Sequence, residues 1–208
     1  WPSAWGGCDL PLLHQIAFYD EMLAADAPMT DLFSISLYHM AATLFAHGTD
    51  AQRELYLEGA RTGGIVWCQG FSEPGAGSDL AGLRTKAIRE GDTYVVNGQK
   101  IWSSYAKWAD YCLLLARTDP NAKRKHDGIS FLIVDMKSPG VTVRPIRQIS
   151  GDAEFCEIFF DDVAVPSENL IGTEGNGWQI AQSTLTTERG LLTYEYVLRL
   201  VHAYDEDA

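Results

Sequence analysis

The residue types able to do chemistry gather in two stretches of this 208-residue chain. Residues 67–87 read WCQGFSEPGAGSDLAGLRTKA, and residues 100–106 read KIWSSYA. In the first, Pro74 stiffens the entry to Gly75-Ala76-Gly77, the glycines let backbone amides approach a ligand, and Ser78 adds a hydroxyl. Such a run suits an anion, yet it is neither of the two common phosphate motifs. Gly75, Gly77 and Gly82 read G-x-G-x-x-x-x-G, where a dinucleotide fingerprint needs G-x-G-x-x-G between a strand and a helix. The residues that follow alternate like a strand, and no lysine stands where a P-loop needs one. Residue types alone leave two readings, a structural turn or an anion site. In the second stretch Trp102 and Ser104 are spaced i, i+2, which on a strand turns both side chains to one face. A core tryptophan is the plain alternative. Farther on, Glu188 directly precedes Arg189. By residue type alone, that carboxylate reads as a partner for a neighbouring positive charge on its helix.

Charge narrows the partners. Sixteen Lys and Arg against 28 Asp and Glu give a formal net charge of −12, so nucleic acid and anionic membrane surfaces, which need a basic footprint, are poor candidates. Cys8, Cys68, Cys112 and Cys156 are far apart, with no C-x-x-C and no paired histidines, which predicts free thiols in a reducing compartment and no metal site. No apolar run approaches a membrane span and no signal peptide is visible. The opening WPSAWGG lacks a starting methionine, as in a fragment or a processed form.

The elements that must position these residues come in three blocks. Residues 1–64 read as helices: Leu12, Ile16, Tyr19 and Leu23 form one stripe, and Leu37, Met40, Ala41 and Leu44 another that ends at Gly48. Thr49 with Gln52 three residues on is a capping box for a third helix that stops near 62–64. Residues 65–172 turn to short strands. Asn97-Gly98 and Pro139-Gly140 stand as turns between apolar runs, predicting an antiparallel sheet or small barrel. Lys123, Arg124 and Lys125 fall in a polar loop that reads as a hairpin tip. Residues 173–208 return to helix, with Trp178, Ala181 and Leu185 on one face and a second stripe from Leu191 through Leu198 towards Val201. The class is α+β, a β domain between helical layers.

Taken together, FSEPGAGSDLAGLRTKA and VNGQKIWSSYA resemble the flavin-binding region of the acyl-CoA dehydrogenase family. WPSAWGG resembles that family's early Pro-x-x-Trp/Tyr-Gly-Gly element, and HGTDAQRELYLEGARTGG the helix that leads into its β domain. FLIVDMKSPGVTV and EIFFDDVAVPSENLIGTEGNGW resemble the later strands and the exit into a C-terminal four-helix bundle. The resemblance implies FAD bound between β domain and bundle in a homodimer or homotetramer. It implies removal of hydrogen from the α and β carbons of an acyl-CoA thioester to give the trans-2-enoyl-CoA. A carboxylate would take the α proton, a hydride would pass to flavin N5, and the electrons would go on to an electron-transferring flavoprotein. The compartment would be bacterial cytoplasm, or the mitochondrial matrix in a eukaryote.

Residue by residue, the resemblance gives Ser72 a hydrogen bond to the pyrimidine edge of the flavin and Phe71 a backbone contact beside it. Gly77 and Ser78 fall at the pyrophosphate, and Ser78 also where some members touch the CoA moiety. Trp102 would cover the isoalloxazine, and Ser104 would approach N5. Gln69 departs from members that carry an aromatic there. Most members supply the base from a loop farther along than Ala208. A subset, the isovaleryl- and long-chain-type enzymes, places a glutamate just before a helix-start arginine, the pattern of Glu188, with Arg189 beside the substrate. Two further roles fit the same fold: a flavin oxidase or monooxygenase, and a non-catalytic flavin-binding partner subunit of a heteromeric dehydrogenase.

Overall fold

The computed structural model describes residues 1–28, 30–188 and 197–201, with 187 and 188 as backbone only. Three helices come first, α1 (Leu12–Ala24), α2 (Ala41–His47) and α3 (Asp50–Arg61). The stripe that predicts α2 starts earlier than α-helical geometry does, because Ile35–Met40 is a π-helical segment running straight into α2. The capping box forms as its residue types require: Thr49 Oγ1 accepts from the Gln52 amide (3.2 Å) and Gln52 Oε1 from the Thr49 amide (3.1 Å). The same glutamine donates to the carbonyls of Glu168 and Leu170 (2.8 and 3.0 Å), tying the helix start to the far end of the sheet. In α1 only Tyr19 of the predicted stripe is buried, and Leu12 remains 57% exposed.

Eight strands make one sheet: β1 (Trp67–Gly70), β2 (Lys86–Glu90), β3 (Thr93–Ser104), β4 (Tyr111–Arg117), β5 (Ile129–Asp135), β6 (Val141–Pro145), β7 (Phe155–Pro166) and β8 (Leu170–Ile171). Their order is β6-β7-β3-β2-β4-β5-β8, with β1 also on β4. The predicted antiparallel sheet is corrected to a mixed one, since β4 runs parallel to both β1 and β2. The physical reason is the long connection. The chain between β1 and β4 holds the whole β2–β3 hairpin, ample for the crossover that parallel pairing needs.

Asn97-Gly98 is not a turn. The hairpin closes at Gly91-Asp92, between paired Glu90 and Thr93, where Gly91 takes φ 62°. Asn97-Gly98 instead lies inside β3, at a bulge where Asp161 and Asp162 of β7 face Asn97. Asn97 clamps that bulge, donating to Asp162 Oδ1 (2.8 Å) and accepting from the Asp162 amide (2.9 Å). Gly98 is required for a different reason: a Cβ there would lie 2.7 Å from Thr85 Cα. Pro139-Gly140 does turn, between β5 and β6.

Both faces of β4 and β5 are buried, which is why YCLLLAR and ISFLIVD are nearly unbroken apolar runs. Leu113, Leu115, Phe131 and Ile133 pack towards Met40, Leu44, Tyr56 and Leu57 of the helical layer. Their alternates Cys112, Leu114, Leu132 and Val134 pack with Tyr94, Val96, Ile158 and Val163, so the sheet curls over a second core of its own. Helix α4 (Gly177–Glu188) lies against the first core through Ile180 and Ala181, with Trp178 and Leu185 at its margin. Residues 197–201 are helical, with Val197, Leu200 and Val201 exposed. The rest of the second predicted stripe, from Leu191, lies outside the described residues.

Gly98→Ala should destabilise the protein by roughly 1–3 kcal/mol, the cost of forcing extra volume into a packed site. Chemical denaturation checks this, and an unchanged midpoint would remove the close approach as the reason for glycine here.

Candidate functional site

The glycine run is held from beneath by a buried ion pair. Glu73 and Ala76 exchange two backbone hydrogen bonds of 3.0 Å, which closes a tight turn over Pro74-Gly75. The Glu73 carboxylate turns inward and accepts from the Arg84 amide (2.6 Å), the Thr85 amide (2.8 Å) and Lys100 Nζ (2.9 Å). Lys100 is fully buried on β3 and also donates to the Phe71 carbonyl (3.0 Å). Burial pushes the Glu73 pKa up, but Lys100 and the Thr85 contacts outweigh it and hold the carboxyl below its usual range. Burial pulls Lys100 down to about 8 against the opposing pull of Glu73. Neither residue was a sequence candidate, because they stand 27 positions apart and no local spacing joins them. One signal existed. Lys100 continues the inward parity of Tyr94 and Val96, and a charge on an inward face demands a partner.

Beside this anchor lies a pocket of about 250 Å³ lined by Gln69, Phe71, Ser72, Leu80 and the bulge residues Ile101 and Trp102, with Leu185 of α4 above. Phe71 is buried edge-on against Phe131, with ring centroids 5.6 Å apart. The Ser72 carbonyl accepts from the Ile101 amide (2.9 Å), while its half-buried hydroxyl meets no partner among the described residues. Trp102 does not follow simple strand alternation. Ile101 and Trp102 together face Glu157 of β7, Trp102 takes φ 61°, and its side chain is left 58% exposed at the pocket mouth. Ser104 lies beyond the bulge, paired with Phe155 and outside the pocket lining; Phe155 meets the Trp102 ring edge-on.

Gly77 and Ser78 are exposed on the outer side of the loop, also outside the lining. Nothing lies within 4 Å of a Cβ built at Gly75 or Gly77, so this backbone is open to close approach. At the loop's end Asp79 pairs with Lys125 (2.8 Å), so the basic cluster of the β4–β5 hairpin tip folds back on to the glycine run. Arg124 pairs locally with Asp127 (2.9 Å). Glu188 is the last residue of α4; its side chain and the whole of Arg189 lie outside the described residues. The structure thus brings Phe71, Ser72 and Trp102 together, with Gly77 and Ser78 on the adjoining loop and Ser104 farther along β3. Two aromatic rings, an unpartnered hydroxyl and an open glycine backbone suit a planar, hydrogen-bonding ring with an anionic tail. Among the described residues no cluster of His, Cys, Asp and Glu could hold a metal ion, and no helix is long and apolar enough to cross a membrane.

Two family models match the chain: the acyl-CoA dehydrogenase N-terminal domain over residues 1–64 and the acyl-CoA dehydrogenase middle domain over residues 68–163. The chain belongs to the acyl-CoA dehydrogenase family. Among curated relatives, acyl-CoA dehydrogenase IpdE1 of Mycobacterium tuberculosis (strain ATCC 25618 / H37Rv) is 46% identical over 194 residues, 93% of this chain and 50% of its own length. Among solved structures, the Tcur3481-Tcur3483 steroid ACAD is 34% identical with a TM-score of 0.90, covering 99% of this chain and 52% of its own. The ChsE4-ChsE5 complex from Mycobacterium tuberculosis is 40% identical with a TM-score of 0.80, over 90% of this chain and 47% of its own. The chain spans about half the length of the curated relatives it matches.

Replacing Lys100 by Met should cost about 3–5 kcal/mol near neutral pH, because it strands the Glu73 charge in the interior. Glu73 has a lowered folded pKa, so its stabilising contribution is present above the usual carboxylate range and is lost as pH falls through the folded value. Protonation removes the ion pair from the wild type and the stranded charge from the variant. The stability gap should therefore narrow in acid, and a gap constant with pH, followed by denaturant titration, would contradict the assignment.

Proposed function

We propose that this chain is the cofactor-binding part of an FAD-dependent acyl-CoA dehydrogenase. The enzyme would convert an acyl-CoA thioester to its trans-2-enoyl-CoA and pass the electrons to an electron-transferring flavoprotein. The observation that carries this is the pocket where the free Ser72 hydroxyl and the bulged Trp102 meet beside an anchored glycine loop. When bound there, FAD supplies the hydride acceptor for the β carbon. Ser72 holds the polar edge of the ring, Trp102 covers its face, and the backbone around Gly77 and Ser78 receives the diphosphate. Ser104, past the bulge, is assigned the ring's reacting side. Ser78 also contacts the CoA moiety, Glu188 takes the α proton, and Arg189 positions the acyl group near it. The bacterial relatives support a bacterial source, and the compartment assigned with it is the cytoplasm.

In the complete protein, adding an acyl-CoA without oxygen should bleach the flavin, and electron-transferring flavoprotein should restore the colour far faster than oxygen does. Rapid recovery with oxygen alone would favour an oxidase instead. Glu188→Gln should slow bleaching by roughly 10²–10⁴-fold, the usual contribution of a positioned base. An unaltered rate in that variant would exclude Glu188.

A second reading has its own support. Among the similar solved structures, one is described as a complex of ChsE4 with ChsE5, and another carries the paired designation Tcur3481-Tcur3483. On that reading the protein contributes its flavin site to a dehydrogenase built with a different chain, instead of forming a homodimer or homotetramer. Expressed alone, it should then lose flavin on gel filtration and regain it when the second subunit is co-expressed. A stable, flavin-loaded homo-oligomer would discard this reading.

A further inference from the structure

We propose that Gln69, oriented by the buried His39, is a positioning residue that presents a hydrogen-bond acceptor to the ligand in the pocket between Phe71 and Trp102. The bound ligand must then carry a donor, an N–H or O–H, at that wall. The inference rests on the functional reading above and adds a requirement to it.

Gln69 sits on β1, paired in register with Leu113, and is the half-buried member of a strand otherwise buried throughout. Ser72 is the other polar side chain of the pocket; the remaining lining is aromatic or aliphatic. The Gln69 amide nitrogen lies 2.8 Å from His39 Nδ1. With the amide placed this way its nitrogen donates to Nδ1, which corresponds to the tautomer protonated on Nε2. One amide hydrogen is thereby engaged. The Gln69 carbonyl oxygen bonds none of the described residues, so the side chain that lines the pocket keeps its acceptor for a ligand.

His39 is built to hold that orientation. It is 3% exposed, within the π-helical segment Ile35–Met40, and its own carbonyl accepts from Thr43 Oγ1 (2.7 Å). π-Helical turns within a helix are frequent at functional sites. The neighbouring Ser36 of the same segment accepts from the Trp67 amide (3.1 Å), so the segment is fastened to β1 at two points. A long, flexible amide fixed before the ligand arrives loses less freedom on binding, which is the gain from preorganisation. A glutamine placed merely to fill space would need neither the histidine nor an open face.

Two donors satisfy the requirement. One is the N3–H at the pyrimidine edge of the flavin ring; the other is a hydroxyl on the acyl group. The complete protein decides between them. Gln69→Leu, Gln69→Met and His39→Phe would be compared with wild type for FAD dissociation constant, flavin midpoint potential and melting temperature. The kcat/KM ratio would also be measured for two acyl-CoA thioesters that differ by one acyl hydroxyl. Loss of one hydrogen bond should change the FAD dissociation constant, or the kcat/KM ratio, about tenfold in the glutamine variants, and in the same direction but less in His39→Phe. A shift in FAD affinity and potential assigns the donor to the ring, and a shift confined to the hydroxylated substrate assigns it to the acyl group. If Gln69→Leu fails to fold, Gln69→Met, of nearly the same length, carries the test. Should FAD affinity and hydroxyl preference stay within about twofold of wild type and the potential stay unchanged while only the melting temperature falls, the pair is structural and the proposal fails. A wild-type protein that holds no FAD overturns the functional reading itself, and this shows before any variant is made.

Discussion

The contact between Glu73 and Lys100 is where loop, sheet and pocket are made dependent on one another. Two charges taken into the interior cost several kcal/mol each in lost hydration, and their attraction offsets this only when the remaining hydrogen-bonding capacity is also met. Here it is met. Glu73 takes two backbone amides from the chain entering β2, and Lys100 takes the Phe71 carbonyl at the exit of β1. One ion pair thus joins three segments that are remote in sequence, β1, β2 and β3. A hydrophobic pair of similar volume could fill the space without specifying where the Pro-Gly turn must lie, whereas hydrogen bonds with direction do specify it. The open backbone at Gly75 and Gly77 is therefore presented in one place by a side chain two residues upstream of the first glycine.

Around that anchor, the pocket exists because three layers converge. The wall formed by β4 and β5 packs the helical layer on one face and the curled sheet on the other, fixing β1 between them. Helix α4 is then located by contacts with α2, including a buried hydroxyl pair: Thr43 and Thr184 lie 2.6 Å apart, Thr43 donates to the His39 carbonyl (2.7 Å), and the single Thr184 proton is left for Thr43 Oγ1 or the Ile180 carbonyl (3.0 Å). Threonines at a helix–helix contact orient more narrowly than valines of similar size, because each hydroxyl has a single proton to place. The consequence is local. Leu185, next along α4, closes the pocket over Trp102.

Periodic and capped features were legible from residue types. The capping box of α3, the buried runs of β4 and β5 and the Pro139-Gly140 turn all follow from propensities that act within a few residues. Two features misled for the same reason in reverse. Asn-Gly is a strong turn signal, but tertiary contacts with Thr85 and Asp162 use the small glycine and the bidentate asparagine for a close approach and a bulge clamp. The parallel pairing of β4 depends on contacts across dozens of residues, which periodicity does not register. For the site, residue types and spacing left the glycine run open between turn and ligand site, and the resemblance to a flavin family supplied the roles of Ser72 and Trp102. Of their supports, Lys100 left a trace in the alternation of β3, but its pairing with Glu73, and the role of His39, became visible only in three dimensions, because each acts through a partner far away in the chain.

The bulge in β3 shows how a single inserted residue resolves a conflict in the strand. In regular alternation residues 100 and 102 share a face. Lys100 must point inward, since its ammonium completes the Glu73 cluster, and that parity would bury Trp102 behind the loop. Setting Ile101 and Trp102 together against Glu157 resets the register between the two. Trp102 adopts a left-handed backbone, uncommon for a large side chain and tolerated where surrounding structure holds it. The ring is then freed to the pocket mouth, and Ser103 resumes the buried face. The strain lies between the residue that anchors the loop and the residue that faces the pocket, so both demands are met within three consecutive positions of one strand.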